Sequence, residues 1–241
     1  MIKPMMSIDD LLAEIFDGKR GPLYAEFAAW LRASRRFQAF AAEYRTKIRA
    51  KLRNAANAEG LKDARAELEA AALLLREKSF ALEYEKYLAS GARGPDLTVT
   101  FKTHTLFNIE VRRMRAVEFD LADTAGQANK LVAVLRDKAG QMPPGALNFL
   151  WLTGGRAVSE QHLAAAGALL RQLGESKADS FFAGRGFEGA ADFLRQYQRL
   201  AGVVLRQEEA AVWLNPLARL KPPPEILRAL LRAASGKSEN G

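Results

Sequence analysis

"YLASGARGPDLTVTFKTHTLFNIEVRRM", residues 87–114, contains two short runs that alternate with period two, "PDLTVTF" and "TLFNIEV", joined through "KTH". Both runs are rich in β-branched and aromatic residues, so they read as two antiparallel strands. Asp96, Thr98 and Thr100 then share one face of the first strand, and Asn108, Glu110 and Arg112 one face of the second. A hairpin folded about Thr103 sets Asp96 opposite Glu110. Two carboxylates at cross-strand distance repel unless a cation lies between them. Arg112 or Arg113 is an alternative partner for Glu110. The turn holds no Gly or Asn to fix the register, which leaves it open to a slip of one residue.

After the hairpin the pattern is α/β. "DTAGQANKLVAVLRDKAGQM" is helical with Asp123 as its cap, "GALNFLWLTG" is a buried strand, and "SEQHLAAAGALLRQLGE" is a helix starting at Ser159. "FEGAADFLRQYQRL" is a further helix, "AGVVLRQ" and "AAVWLNP" are short strands, and "PPPEILRALLRAA" is a last helix after its prolines. The order implies a mixed sheet flanked by helices, spanning residues 75–234, with a tail at 235–241. Gly154, Gly155 and Arg156 lack the spacing and the lysine of a phosphate-binding loop and read as a connecting turn.

Before the hairpin, residues 1–74 read as a helical region. "SIDDLLAEIF" starts at Ser7, and "GPLYAEFAAWLRASRRFQAFAAEYRTKIRAKLRNA" carries Phe27, Trp30, Leu31, Phe37, Phe40 and Tyr44 at helical spacing, which marks a core face. "LKDARAELEAAALLLREKSFALEYEKYLA" reads as one or two helices closing near Gly91. Arg35, Arg36, Arg45, Lys47, Arg49, Lys51 and Arg53 load the second segment with positive charge, which either tracks a phosphate backbone or faces water.

The 241 residues carry a net charge of +8, which favours polyanionic partners. Cysteine is absent and only His104 and His162 are present, which excludes disulfides, thiolate nucleophiles and Cys- or His-rich zinc sites. A metal site would be built from oxygen ligands, the preference of magnesium or manganese. No apolar run approaches the roughly 18 residues needed to cross a bilayer, and the expected location is the cytoplasm. His104 falls in the hairpin turn and His162 on a helix exterior, and neither is assigned chemistry.

"GPDLTV" followed by a strand ending in "IEV", with a glutamate-bearing helix before it and a helix and strand after it, resembles the core of the PD-(D/E)XK nuclease superfamily, the restriction-endonuclease-like fold. The resemblance covers about residues 75–155. It implies that Asp96 and Glu110 bind Mg²⁺ or Mn²⁺, with the Val111 carbonyl as a further ligand. It also implies an acidic residue on the preceding helix. "ALEYEKYL" offers Glu83 or Glu85, which point about 200° apart on a helix, and Glu85 is nearer the hairpin. The usual lysine two residues past the glutamate is here Arg112, which can clamp a phosphate but holds its proton. Some members take the lysine from the next helix, where Lys130, Lys138 and Gln141 can share one face. The implied activity is metal-dependent hydrolysis of DNA or RNA. The alternative is an inactive nuclease-fold protein that binds nucleic acid or a protein partner. Arg45, Arg49 and Arg53 are the expected phosphate contacts, and the helical first third is a possible surface for self-association.

Overall fold

The computed structural model describes residues 6–55, 57–87, 94–115, 124–154, 158–207 and 209–236. Five helices come first: α1 (Ile8–Ile15), α2 (Tyr24–Ala33), α3 (Arg35–Glu43), α4 (Arg45–Asn54) and α5 (Ala58–Leu74). Strands β1 (Phe80–Tyr84), β2 (Leu97–Phe101) and β3 (Thr105–Arg113) follow, then α6 (Thr124–Ala139) and β4 (Leu147–Thr153). The chain ends with α7 (Glu160–Glu175), α8 (Asp179–Phe182), α9 (Ala190–Tyr197), β5 (Leu200–Arg206), β6 (Ala211–Leu214) and α10 (Pro224–Ser235). Gly236 closes α10 in the left-handed conformation that favours glycine. Asp123, Gly155, Arg156 and residues 237–241 lie outside the described residues.

The six strands form one mixed sheet in sequence order, β1-β2-β3-β4-β5-β6. β1, β2 and β3 run as an antiparallel meander, β3-β4 and β4-β5 are parallel pairs, and β6 returns antiparallel on the far edge. The parallel pairs are bridged by α6 and by α7 to α9, as crossover connections require. The β2-β3 register sets Thr98 opposite Asn108 and Leu97 opposite Ile109, the pairing expected of a hairpin turning about Thr103. Lys102 opens that turn with φ 56°.

Alternation along the strands feeds two cores. Leu97, Val99, Phe107, Ile109, Phe149 and Trp151 face the layer of α1–α5 and α10, while Leu150, Leu152, Val203 and Leu205 face α6–α9. Leu11, Phe27 and Phe37 from the first helices share the first core with Phe80 and Phe149. The aromatic stripe is core: Phe27, Phe37 and Phe40 are buried, and edge contacts at 5.4 to 6.1 Å join Phe27, Trp30 and Phe37. Across the sheet, Thr98 Oγ1 donates to Asn108 Oδ1 (3.0 Å) and Asn108 Nδ2 donates to Asn148 Oδ1 (2.9 Å). Asn148 Nδ2 in turn meets the carbonyls of Pro143, Ala146 and Arg199. Buried amides are tolerated here because they satisfy one another.

Two expectations are corrected. Residues 80–84 form edge strand β1 rather than a helix. Leu and Glu favour helix, and Phe80 and Tyr84 are spaced for either element, but pairing with β2 buries Phe80 and Tyr84 on one side and decides the outcome. The long second helical segment is three helices. Ser34 is extended (φ −145°, ψ 111°), and its hydroxyl accepts from Phe37 N to start α3, while Tyr44 leaves helical geometry before α4.

Candidate functional site

At the end of the meander β3 outruns its neighbour. β2 begins at Leu97, and just before it the Asp96 side chain takes the place of a strand partner: its Oδ2 accepts from Val111 N at 2.8 Å. Asp96 O accepts from Glu85 N at 2.8 Å, tying the end of β1 to the same corner. The Val111 carbonyl lies on the same strand edge as its amide, beyond the last residue that pairs with β2.

Glu110 projects from β3 toward α6 and is 4 % exposed. Its Oε1 accepts from Lys138 Nζ, which also donates to Gln141 Oε1 at 3.2 Å. Its Oε2 is buried with no hydrogen-bond partner. Burial, then the charge of Asp96, push the Glu110 carboxyl up to about 7, against the pull of Lys138 and Lys51. Burial also raises Asp96, opposed by Lys51, the Val111 amide and Lys138. Burial therefore outweighs the two lysines at both carboxyls, Lys138 on Glu110 and Lys51 near Asp96.

From the opposite layer α4 supplies a second lysine. Lys51 Nζ meets Glu67 Oε2 of α5, lies 3.0 Å from Glu85 Oε1 and 3.9 Å from Asp96 Oδ1. Burial draws its pKa down, but Glu67, Asp96 and Glu85 more than offset that and leave it raised. Burial and the Asp96 charge push Glu67 up to about 8, and the Tyr84 hydroxyl reaches its Oε2 at 3.3 Å. One turn earlier on α4, Lys47 Nζ donates to the carbonyls of Tyr84 (2.9 Å) and Glu85 (3.0 Å). These bonds hold Glu85 at φ 46°, a left-handed conformation uncommon outside glycine.

The structure therefore brings Asp96, Glu110, Lys138 and Gln141 together, with Glu85 joined to them through Lys51. Arg112 and Lys130 line an adjoining groove with Met114, Val134, Asp137 and Lys138. The carboxylate contributed by the preceding helix is Glu67, because the segment bearing Glu85 is a strand end. Glu67 and Lys51 were missed as site residues. Their signal was their position on helices of the region read as separate from the hairpin. Arg45, Arg49 and Arg53 stand apart, on a face of α4 turned to α1, within 2.8 Å of Glu14 and 3.8 and 4.0 Å of Asp17. Among the described residues, no three Asp, Glu or His side chains form a ready-made cation cage. Nor is any helix among them long and apolar enough to cross a membrane.

No known protein family, curated protein or solved structure matches the chain.

Proposed function

We propose that this corner is the centre of a metal-dependent phosphodiesterase acting on nucleic acid, built on a PD-(D/E)XK-like arrangement. The observation that carries the reading is the buried, unsatisfied Glu110 Oε2 beside Asp96. An orphan carboxylate oxygen in a buried corner costs free energy that a hard divalent cation would recover. Asp96 and Glu110 would hold Mg²⁺ or Mn²⁺, with the Val111 carbonyl on the adjacent strand edge. When bound, such an ion polarises a phosphoryl oxygen and lowers the pKa of a water.

The chain's own groups supply the rest. Lys138 fixes the rotamer of Glu110 and brings an amine able to give or take a proton, the capacity that the Arg112 guanidinium lacks. Arg112 and Lys130 line the groove through which a phosphate would approach. Gln141 holds Lys138 in place. Asp96 bonds the Val111 amide and so ties the residue that precedes β2 to the strand that carries Glu110.

A second reading has its own observation. Lys51 already stands among Glu67, Glu85 and Asp96 as an internal cation, as in a protein that keeps the fold for binding nucleic acid without cutting it. Cleavage of single-stranded DNA, duplex DNA and RNA with Mg²⁺ or Mn²⁺, wild type beside Glu110→Ala, separates the two. Cutting by the wild type alone supports hydrolysis at this site. Equal cutting by both proteins refutes the site assignment, and binding without cutting selects the second reading.

A further inference from the structure

The other end of β1 carries a different kind of site. There the start of α3, the turn between α5 and β1, and the last turn of α10 enclose an open groove lined by Arg35, Arg36, Arg76, Lys78 and Arg232, with Glu77 as the one carboxylate among the described lining residues. Two of the five basic groups are committed to the scaffold. Arg36 donates to the carbonyls of Leu75 (2.8 Å), Glu77 (2.7 Å) and Phe80, and Arg232 grips Glu77 Oε2 through Nε (2.9 Å) and Nη2 (2.7 Å). Glu77 is thereby neutralised, and it sits below the usual glutamate range: burial raises it, but Ser79 and Arg232 outweigh that.

Arg35, Arg76 and Lys78 are exposed at the mouth of the groove. Arg76 reaches only an uncharged acceptor, the Gly236 carbonyl at 3.0 Å, and among the described residues none of the three makes an ion pair. Like charges held around one concavity repel, and an anion that enters relieves that repulsion. We propose that this groove binds the phosphate backbone of a nucleic-acid strand.

The lining chemistry narrows the ligand. No aromatic side chain is among the described residues that line the groove, which offer no stacking platform for bases. Contacts from arginine and lysine alone read phosphates and carry no base preference. The groove also contrasts with the arginines of α4, which face Glu14 and Asp17 and have part of their charge cancelled. It lies at the Phe80 end of β1 and the carboxylate corner at the Glu85 end, about 16 Å away at a strand rise of about 3.3 Å per residue. The inference shares its ligand class with the proposed function but requires no hydrolysis.

The test is fluorescence anisotropy of a labelled single-stranded DNA oligonucleotide between about 50 and 200 mM salt, in EDTA so that nothing is cut. Arg35→Gln, Arg76→Gln and Lys78→Gln are combined in one variant, with Arg45→Gln, Arg49→Gln and Arg53→Gln combined as comparator. Three lost phosphate contacts lower the slope of log K against log salt by about 2, and weaken binding at least about tenfold. Lys78→Gln alone shows the same trend by about 0.7 and guards against misfolding of the triple variant. Wild-type affinity and slope in the groove variant, or the loss appearing in the comparator instead, overturns the proposal. Displacement of the strand by low-millimolar inorganic phosphate also overturns it, in favour of a pocket for a single phosphate. A wild type that binds here but never cuts with Mg²⁺ sinks the proposed function and leaves the groove standing.

Discussion

Replacing Glu110 by glutamine should make the protein more stable at alkaline pH while removing its metal response. The Glu110 carboxyl, taken with Asp96, is held at about 7 against an ordinary value of 4.5. A carboxylic acid whose folded pKa lies above its unfolded one costs nothing below the unfolded value. Its penalty grows as pH rises between the two and is complete above the folded value. Each pH unit of that interval is worth about 1.36 kcal/mol, so charging Glu110 in place costs on the order of 3 kcal/mol above pH 7. Glutamine keeps the shape and removes the charge. Lys138 loses its anionic partner but is 21 % exposed and retains Gln141 Oε1, which limits the loss to about 1 kcal/mol. The net expectation is a gain of about 2 kcal/mol at pH 8.5 and little gain at pH 5. Urea unfolding at the two pH values in EDTA reads this directly. With Mg²⁺ or Mn²⁺ added, the wild type should recover stability at pH 8.5 and Glu110→Gln should not. A variant less stable than wild type at pH 8.5, or equally stabilised by the metal, would falsify the reading of Glu110 as an under-compensated ligand.

Two further outcomes follow from the same packing. Lys51→Met strips the cation from Glu67, Glu85 and Asp96, so unfolding free energy should drop by about 3 kcal/mol at pH 8.5, by urea titration. The drop should shrink at pH 5, where Glu67, raised to about 8, is already protonated in the fold; an equal drop at both values counts against the cluster. Gly202→Ala in β5 would set a methyl 2.5 Å from the Trp213 carbonyl oxygen of β6, a contact that only separation of the strands relieves. It should lower stability by about 2 kcal/mol, and an unchanged thermal midpoint would show that the β5-β6 pairing is looser than described.

Legibility followed the range of the interactions. Where local pattern and tertiary demand agree, as in β2 and β3 with their β-branched and aromatic alternation and in the apolar run of β4, the sequence sufficed for the strands. The hairpin register, left open by a turn without Gly or Asn, was decided by the pairing of β2 with β3. Glu110 stood out because an acid amid apolar strand residues has no inexpensive explanation. β1 was hidden because "FALEY" is intrinsically helix-compatible and becomes a strand only when β2 offers its edge. The break at Ser34 had a readable cap, yet no glycine or proline announced it.

What the sequence determined by itself is an α/β chain with a hairpin that carries Asp96 just before its first strand and Glu110 within its second, since side-chain alternation is a local consequence of residue order. What only the tertiary structure decided is which cations and acids join them. Lys51 and Glu67 come from helices of the opposite layer and Lys138 from the far end of α6, and no periodicity along the chain encodes the packing of one layer against another.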